Sequence, residues 1–142
     1  MTIREALTDD DVRALHPVMV QLRPHVDDPE ALVAAVGRMR ADGYRLVMAT
    51  DPVGGAVEAV AGFRVFEMLY RGRFLYVDDL VTDEAHRSKG HGAALLAWLR
   101  EEARRLDCQQ VVLDSGVQRK DAHRFYEREG FEVLALNFTQ QL

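Results

Sequence analysis

The chain has 142 residues, 48% of them hydrophobic, enough to bury one core while leaving little for a second domain, so a single domain over 1–142 is expected. A formal charge of -5, with cations that are mostly arginine interleaved with acids, speaks against nucleic acid as the main partner, because such binding needs clustered positive charge. A lone cysteine, Cys108, excludes an internal disulfide and disfavours a thiolate metal site, and no apolar run is long enough to cross a membrane. The N-terminus, MTIREALTDDD, turns acidic at once instead of presenting a basic flank and an apolar segment, which predicts a cytoplasmic protein.

A short strand, Thr2 to Ala6, comes first. Thr8 with Asp11 three residues on has the form of a capping box, opening a helix whose apolar positions include Val12, Leu15, Met19 and Leu22. Pro17 lies inside that pattern and is expected to kink or restart it. Asp28 followed by Pro29 reads as an N-cap and a first-turn proline, and Leu32, Val33, Val36 and Met39 give a second amphipathic helix that stops near Gly43. The period then changes to strands at Arg45–Thr50, Val57–Leu69 and Arg73–Val81, separated by the turn sequences DPVGG and YRGR, which predicts an antiparallel meander.

After Gly92, apolar residues at Leu95, Leu96, Leu99, Ala103 and Leu106 mark a helix, and Gln110–Ser115 a strand. Strand, helix, strand favours a parallel pairing across a crossover. A last helix, Arg119 to Glu129, ends at Gly130, and Phe131–Phe138 reads as a final strand. The order defines an α/β domain around a mixed, mostly antiparallel sheet.

The segment RSKGHGAALLAWL, from Arg87 to Leu99, joins a glycine-containing turn to a helix. Helix N-termini carry unpaired N–H groups and positive partial charge, glycine lets a ligand approach, and Arg87 and Lys89 add formal charge, so a pyrophosphate fits. The spacing is that of neither a GxxxxGK[ST] loop nor a GxGxxG dinucleotide turn.

Arg87, Gly90 and Gly92 match the R/Q-x-x-G-x-G/A motif of the GNAT acetyltransferase superfamily, and the segment AHRFYEREGFE resembles that family's later tyrosine-containing motif, here Tyr126 to Phe131. The element order is similar too. The resemblance implies the acyl-CoA N-acyltransferase fold: helices on both faces of the sheet and a splayed parallel strand pair. It implies acetyl-CoA as co-substrate, its pyrophosphate on the amides of Ser88, Lys89, Gly90, His91, Gly92 and Ala93, beside Arg87. It also implies a pantetheine arm pairing with the backbone of Leu80, Val81 and Thr82 as an added strand would. Two positions depart from the family pattern: Arg119 stands where many relatives carry asparagine, and Glu84 where they often carry proline.

Acetyl transfer to an amine needs a neutral nucleophile, stabilisation of the developing oxyanion and a proton for the departing thiolate. Tyr126 matches the position that supplies this proton in many relatives; the alternative is an anchor, with Phe125, of the last helix on the sheet. For the base, Asp78 and Asp79 are adjacent in a strand and point to opposite faces unless a bulge intervenes; Leu75, Val77 and Val81 would share the face of Asp79. Asp114, near the end of the following strand, matches a position where some relatives carry an acidic base, and a water chain to one of these acids is a further route. His91 is expected to contribute backbone more than ring, and His123 to be a surface residue. His16, His25 and His86 have no HxxxH spacing, so no metal is assigned. Arg23, Arg64, Arg71 and Arg73 are candidates for binding an anionic group on the acceptor.

The expected acceptor is a primary amine on a small molecule or a protein, attacked directly in a ternary complex. The alternative is a noncatalytic acyl-CoA-binding regulatory module, which would keep Arg87, Gly90 and Gly92 without needing Tyr126 or the acids. Net acidity speaks against an RNA acceptor. Homodimers are common in the family, so self-association is also an expectation.

Overall fold

The computed structural model describes residues 1–142, which form two compact units, residues 1–112 and residues 113–142. The first unit holds β1 (Thr2–Glu5), α1 (Asp9–Leu22), α2 (Pro29–Arg40), β2 (Arg45–Thr50), β3 (Val57–Met68), β4 (Gly72–Thr82), a short 3-10 turn (Glu84–His86), α3 (His91–Arg105) and most of β5 (Gln110–Leu113). The sheet order is β1-β2-β3-β4-β5, antiparallel as far as β4, with β5 parallel to β4.

The local signals act as expected at most element ends. Asp11 N–H donates to Thr8 Oγ1 at 3.1 Å while Thr8 N–H donates back to Asp11 Oδ2 at 3.3 Å, so the capping box closes. Asp28 caps α2, with Pro29 in its first turn. Pro17 neither ends nor restarts α1, which runs unbroken as one element from Asp9 to Leu22. Its tertiary packing outweighs the lost backbone bond: Leu15, Val18 and Met19 are buried around it.

Both sheet faces are covered. On one, Val12, Leu15 and Met19 of α1 and Leu32 and Val36 of α2 join Leu46, Met48, Val60 and Val81 in one apolar cluster. On the other, α3 buries Leu95, Leu96 and Leu99, and the Trp98 ring meets Phe63 edge to face at 5.9 Å between centroids. The cross-strand register places Phe63 opposite Val77 and Gly62 opposite Asp79, leaving Asp78 as an extra residue on β4. This is a β-bulge.

The parallel pair begins where Gln109 N–H donates to Arg73 O at 2.7 Å. β5 has four residues against eleven in β4, so β4 runs on past it toward Thr82. The strand stops at Leu113 instead of Ser115.

In the second unit, α4 (Lys120–Arg128) is followed by Gly130, whose φ of 92° is the expected left-handed stop. The predicted strand Phe131–Phe138 is a correction: residues 131–142 enter no ladder, and Val133, Leu134, Leu136 and Phe138 are exposed. An apolar pattern supplies a face, but a strand also needs a neighbour to satisfy its backbone groups.

Candidate active site

Two parts of the first unit gather candidate site residues, the bulge on β4 and the loop that leads from β4 to α3. The bulge is the exception under which Asp78 and Asp79 need not point apart. Asp78 accepts from Arg64 Nη2 at 2.7 Å and Nε at 3.2 Å, and Asp79 accepts from Arg23 Nε at 2.9 Å and from the Tyr44 hydroxyl at 2.6 Å. Arg23 also donates to the backbone oxygen of Asp78 at 2.9 Å, which ties the two acids together. The register puts Arg64, Gly62, Asp79 and Val81 on the α1 side, and Phe63, Leu75 and Val77 on the α3 side. Leu75 and Val77 therefore do not share the face of Asp79, because the extra residue shifts the alternation by one.

Burial raises the Asp78 carboxyl above its ordinary value, against the opposing pull of Arg64. Burial likewise pushes the Tyr44 hydroxyl far up, with the Asp79 charge adding to the effect, so Tyr44 stays a proton donor to Asp79. Glycine at position 62 is required by this arrangement, since a β-carbon there would lie 2.0 Å from the Tyr44 hydroxyl oxygen. Of the four arginines, Arg23 and Arg64 are at the bulge. Arg71 donates to Gln110 Oε1 at 3.0 Å and Arg73 to Leu106 O at 2.7 Å, so those two tie the sheet's far end together.

The loop after β4 contains two left-handed residues, Ser88 with φ 63° and Gly90 with φ 86°. Gly90 is the N-cap of α3 and no side chain caps this end, so the first amides of the helix are left for another acceptor. Arg87, Ser88 and Lys89 are exposed beside it. The chemistry of this donor set, uncapped amides plus an arginine and a lysine, fits a diphosphate. On β4, Leu80 and Thr82 are half-buried and Val81 is buried against α1.

Sequence reasoning misses how His91 is used. Its ring is buried, with Nε2 donating to Glu58 Oε2 at 2.6 Å. Tyr44, Gly62, Glu58 and Gln21 escape it as well. The available signals are a glycine within a β-strand and acids at adjacent positions of an otherwise apolar strand, both marks of a bulge. His16 Nε2 donates to Val26 O at 2.8 Å and serves the core. No group of His, Cys, Asp and Glu side chains is arranged to hold a metal ion.

In the second unit, Tyr126 lies on α4 with its ring against Phe125 and Phe131, and burial raises its hydroxyl pKa while the Arg119 charge pulls the other way. Asp114 is exposed and accepts from Asn137 Nδ2 at 3.1 Å. His123 Nε2 donates to Gly116 O at 2.8 Å, holding the loop before α4.

A bulged, partly parallel sheet, with a left-handed glycine and no side-chain cap at the start of its crossover helix, defines the α/β class of fold to which these residues belong. Residues 9–131 match the acetyltransferase (GNAT) family, and the chain belongs to it. It is an acetyltransferase enzyme. The chain is 34% identical over 126 residues to an uncharacterized N-acetyltransferase, YhdJ, of Bacillus subtilis, covering 88% of this chain and 87% of that protein. It is 33% identical over 99 residues to an aminoalkylphosphonate N-acetyltransferase of Salmonella typhimurium, covering 70% of this chain and 62% of that protein. Among solved structures, a Trypanosoma brucei acetyltransferase superposes with a TM-score of 0.81 over 99% of both chains at 22% identity, which speaks for the fold. No helix is long and apolar enough to cross a membrane.

Proposed function

We propose that this enzyme transfers an acetyl group from acetyl-CoA to a primary amine, on a small molecule or a protein, by direct attack in a ternary complex. The observation that carries the reading is the uncapped start of α3 behind a left-handed Gly90, flanked by exposed Arg87 and Lys89. In this reading the amides of Ser88, Lys89, Gly90, His91, Gly92 and Ala93 receive the diphosphate, and the backbone of Leu80, Val81 and Thr82 pairs with the pantetheine arm. Acetyl-CoA supplies the activated acyl group. Membership of a family that uses this cosubstrate supports the assignment.

The chain's own residues then handle protons and orientation. Asp78, half-buried and raised in pKa, takes the proton that the amine must lose. Asp79, bonded to Arg23 on one oxygen and to the Tyr44 hydroxyl on the other, fixes Arg23 and the bulge and is the neighbouring acid for the same step. Asp114 is the second acid the family pattern offers for the same step. Tyr126, which burial keeps protonated, gives its proton to the departing sulfur; this role rests on its place in the family motif. The transfer balances: the nitrogen gains the acyl carbon, the carbon–sulfur bond breaks, one proton leaves nitrogen and one reaches sulfur. Holding both reactants in line supplies much of the acceleration, about 7–11 kcal/mol at best.

A screen of primary amines with acetyl-CoA, following thiol release, tests the proposal. The expected result is turnover with at least one amine and CoA as product. Binding of acetyl-CoA without turnover on any amine overturns the acceptor assignment, and absence of acetyl-CoA binding overturns the whole reading.

A further inference from the structure

Backbone amides kept for a ligand cannot also tie their own loop to the protein, so something else must hold the stretch between β4 and α3 in shape. That stretch bends sharply and includes Ser88 in the left-handed region, a conformation costly for a residue with a β-carbon. Few backbone bonds hold it: Asp83 N–H donates to Glu58 O of β3 at 2.8 Å and, within the stretch, His86 N–H to Asp83 O at 2.8 Å. Side chains supply the remainder, and they converge on one carboxylate. Glu58 Oε2 accepts from His91 Nε2 at 2.6 Å, while Glu58 Oε1 lies 3.3 Å from His86 Nε2. His86 Nδ1 in turn donates to Asp83 Oδ2 at 2.9 Å. Gln21 of α1 closes the set by donating to Asp83 Oδ1 at 2.9 Å and accepting from Glu84 N–H at 3.0 Å.

Glu58 thus bonds the start of α3 through His91 and stands beside the ring of His86 at the loop's other end. His86 immediately precedes Arg87, and His91 is the first residue of α3. The grip is sheltered, since the His91 ring is 6% exposed and the Glu58 side chain 14%. His91 Nδ1 has no hydrogen-bond partner, so the bond to Glu58 is the one hydrogen bond that ring makes. We propose that Glu58 is a positioning residue for cosubstrate binding: through His86 and His91 it fixes the loop 87–90 and the first amides of α3 in the arrangement that receives a diphosphate. This rests on the reading of that loop given above. Without the carboxylate, a buried imidazole would have no hydrogen bond on either nitrogen, and the start of α3 would shift to resolve it.

The test is CoA binding, by titration calorimetry, to the full chain and to Glu58→Ala, Glu58→Gln and His86→Ala. In Glu58→Ala the dissociation constant for CoA is expected to rise about tenfold or more, the usual effect of losing a hydrogen bond to a charged group. Glu58→Gln, which keeps one contact, is expected between that variant and the parent. Hydrogen exchange separates positioning from general stability: CoA should protect residues 84–93 in the parent and fail to do so in Glu58→Ala, with exchange in β2 unaltered. A folded Glu58→Ala that binds CoA within about twofold of the parent, or shows the same loop protection, overturns the proposal. If Glu58→Ala does not fold, unchanged binding in both Glu58→Gln and His86→Ala overturns it equally. A parent chain that does not bind CoA would instead sink the underlying reading of the loop.

Discussion

The Tyr44 hydroxyl donates to the Asp79 carboxylate at 2.6 Å across the place where β3 carries Gly62, and it reaches that acid only because position 62 has no β-carbon. Gly62→Ala would bring a methyl within 2.0 Å of the hydroxyl oxygen and 2.6 Å of the ring carbon that bears it. Tyr44 is buried, so the ring cannot swing into solvent. We expect a loss of about 1–3 kcal/mol in denaturant unfolding, the range for overpacking a filled interior. Tyr44→Phe makes room but removes the donor, and should cost about 1–3 kcal/mol through the unsatisfied carboxylate. The double variant should cost less than the two singles summed, because one clash and one bond share the same hydroxyl.

The raised pKa of Asp78 gives a pH test of its proposed role. Burial favours the protonated form, so as a base it becomes competent only above the usual carboxylate range. The acid limb of the kcat/KM profile should therefore have its midpoint above that of an ordinary aspartate, and Asp78→Asn should abolish the limb while reducing the rate about 100-fold or more. Stability runs in the opposite sense. The folded state holds this proton more tightly than the unfolded chain, so the contribution is full in acid and is lost as pH rises through the folded value. Thermal unfolding of the parent and Asp78→Asn across pH reads that difference directly.

The sheet meander is legible in the sequence because each strand is apolar and bounded by a turn: DPVGG ends in Gly55 at φ 71°, and YRGR places Gly72 at φ 68°. Caps at Thr8 and Asp28 mark two helix starts for the same local reason. The register between β3 and β4 is not legible, because a bulge depends on which residues face each other across strands that are far apart in sequence. That register decides where Asp78 and Asp79 point. The use of the His91 ring is hidden for a similar reason, since its partner, Glu58, lies 33 positions away on another element. The tail after Gly130 shows the converse failure, where an apolar pattern is present and the residues enter no strand.

Gly90 has an open surround, with no atom within 4 Å of the place a β-carbon would occupy, but its φ is 86°. Gly90→Ala should thus be a test of backbone strain and not of crowding. We expect about 1–2 kcal/mol of strain from the left-handed conformation. Relief would come from rotating the N-cap, which turns the first amides of α3 away. CoA affinity should fall about tenfold while the melting temperature drops by only a few degrees.

Asp11 accepts from Arg4 Nη2 at 2.8 Å and from the amides of Leu7 and Thr8 at 3.0 and 3.3 Å, and these bonds hold its carboxyl well below the usual carboxylate range. Asp11→Ala should destabilise the chain by about 1–2 kcal/mol at neutral pH, as loss of half a capping box does. A depressed pKa means the contribution is present above the unfolded value and disappears as pH falls through the folded one. The gap between parent and variant in thermal unfolding should therefore close in strong acid. A gap that persists there would mean that the amide bonds and the Arg4 pair do not act through ionised Asp11.

Tyr126 is the residue on which catalysis and simple packing differ most sharply. Its ring meets Phe125 at 5.4 Å and Phe131 at 5.9 Å between centroids, contacts that Tyr126→Phe keeps in full. The hydroxyl alone is lost. Because burial raises its pKa, the group is protonated across the neutral range and ready to donate. If it gives its proton to the leaving sulfur, the variant should lose about 100-fold or more in kcat with any amine that turns over, at an acetyl-CoA KM within about twofold of the parent. An acyl donor whose thiol is more acidic should recover part of the rate, since a better leaving group needs less protonation. An unchanged kcat would reduce Tyr126 to an anchor of the aromatic cluster.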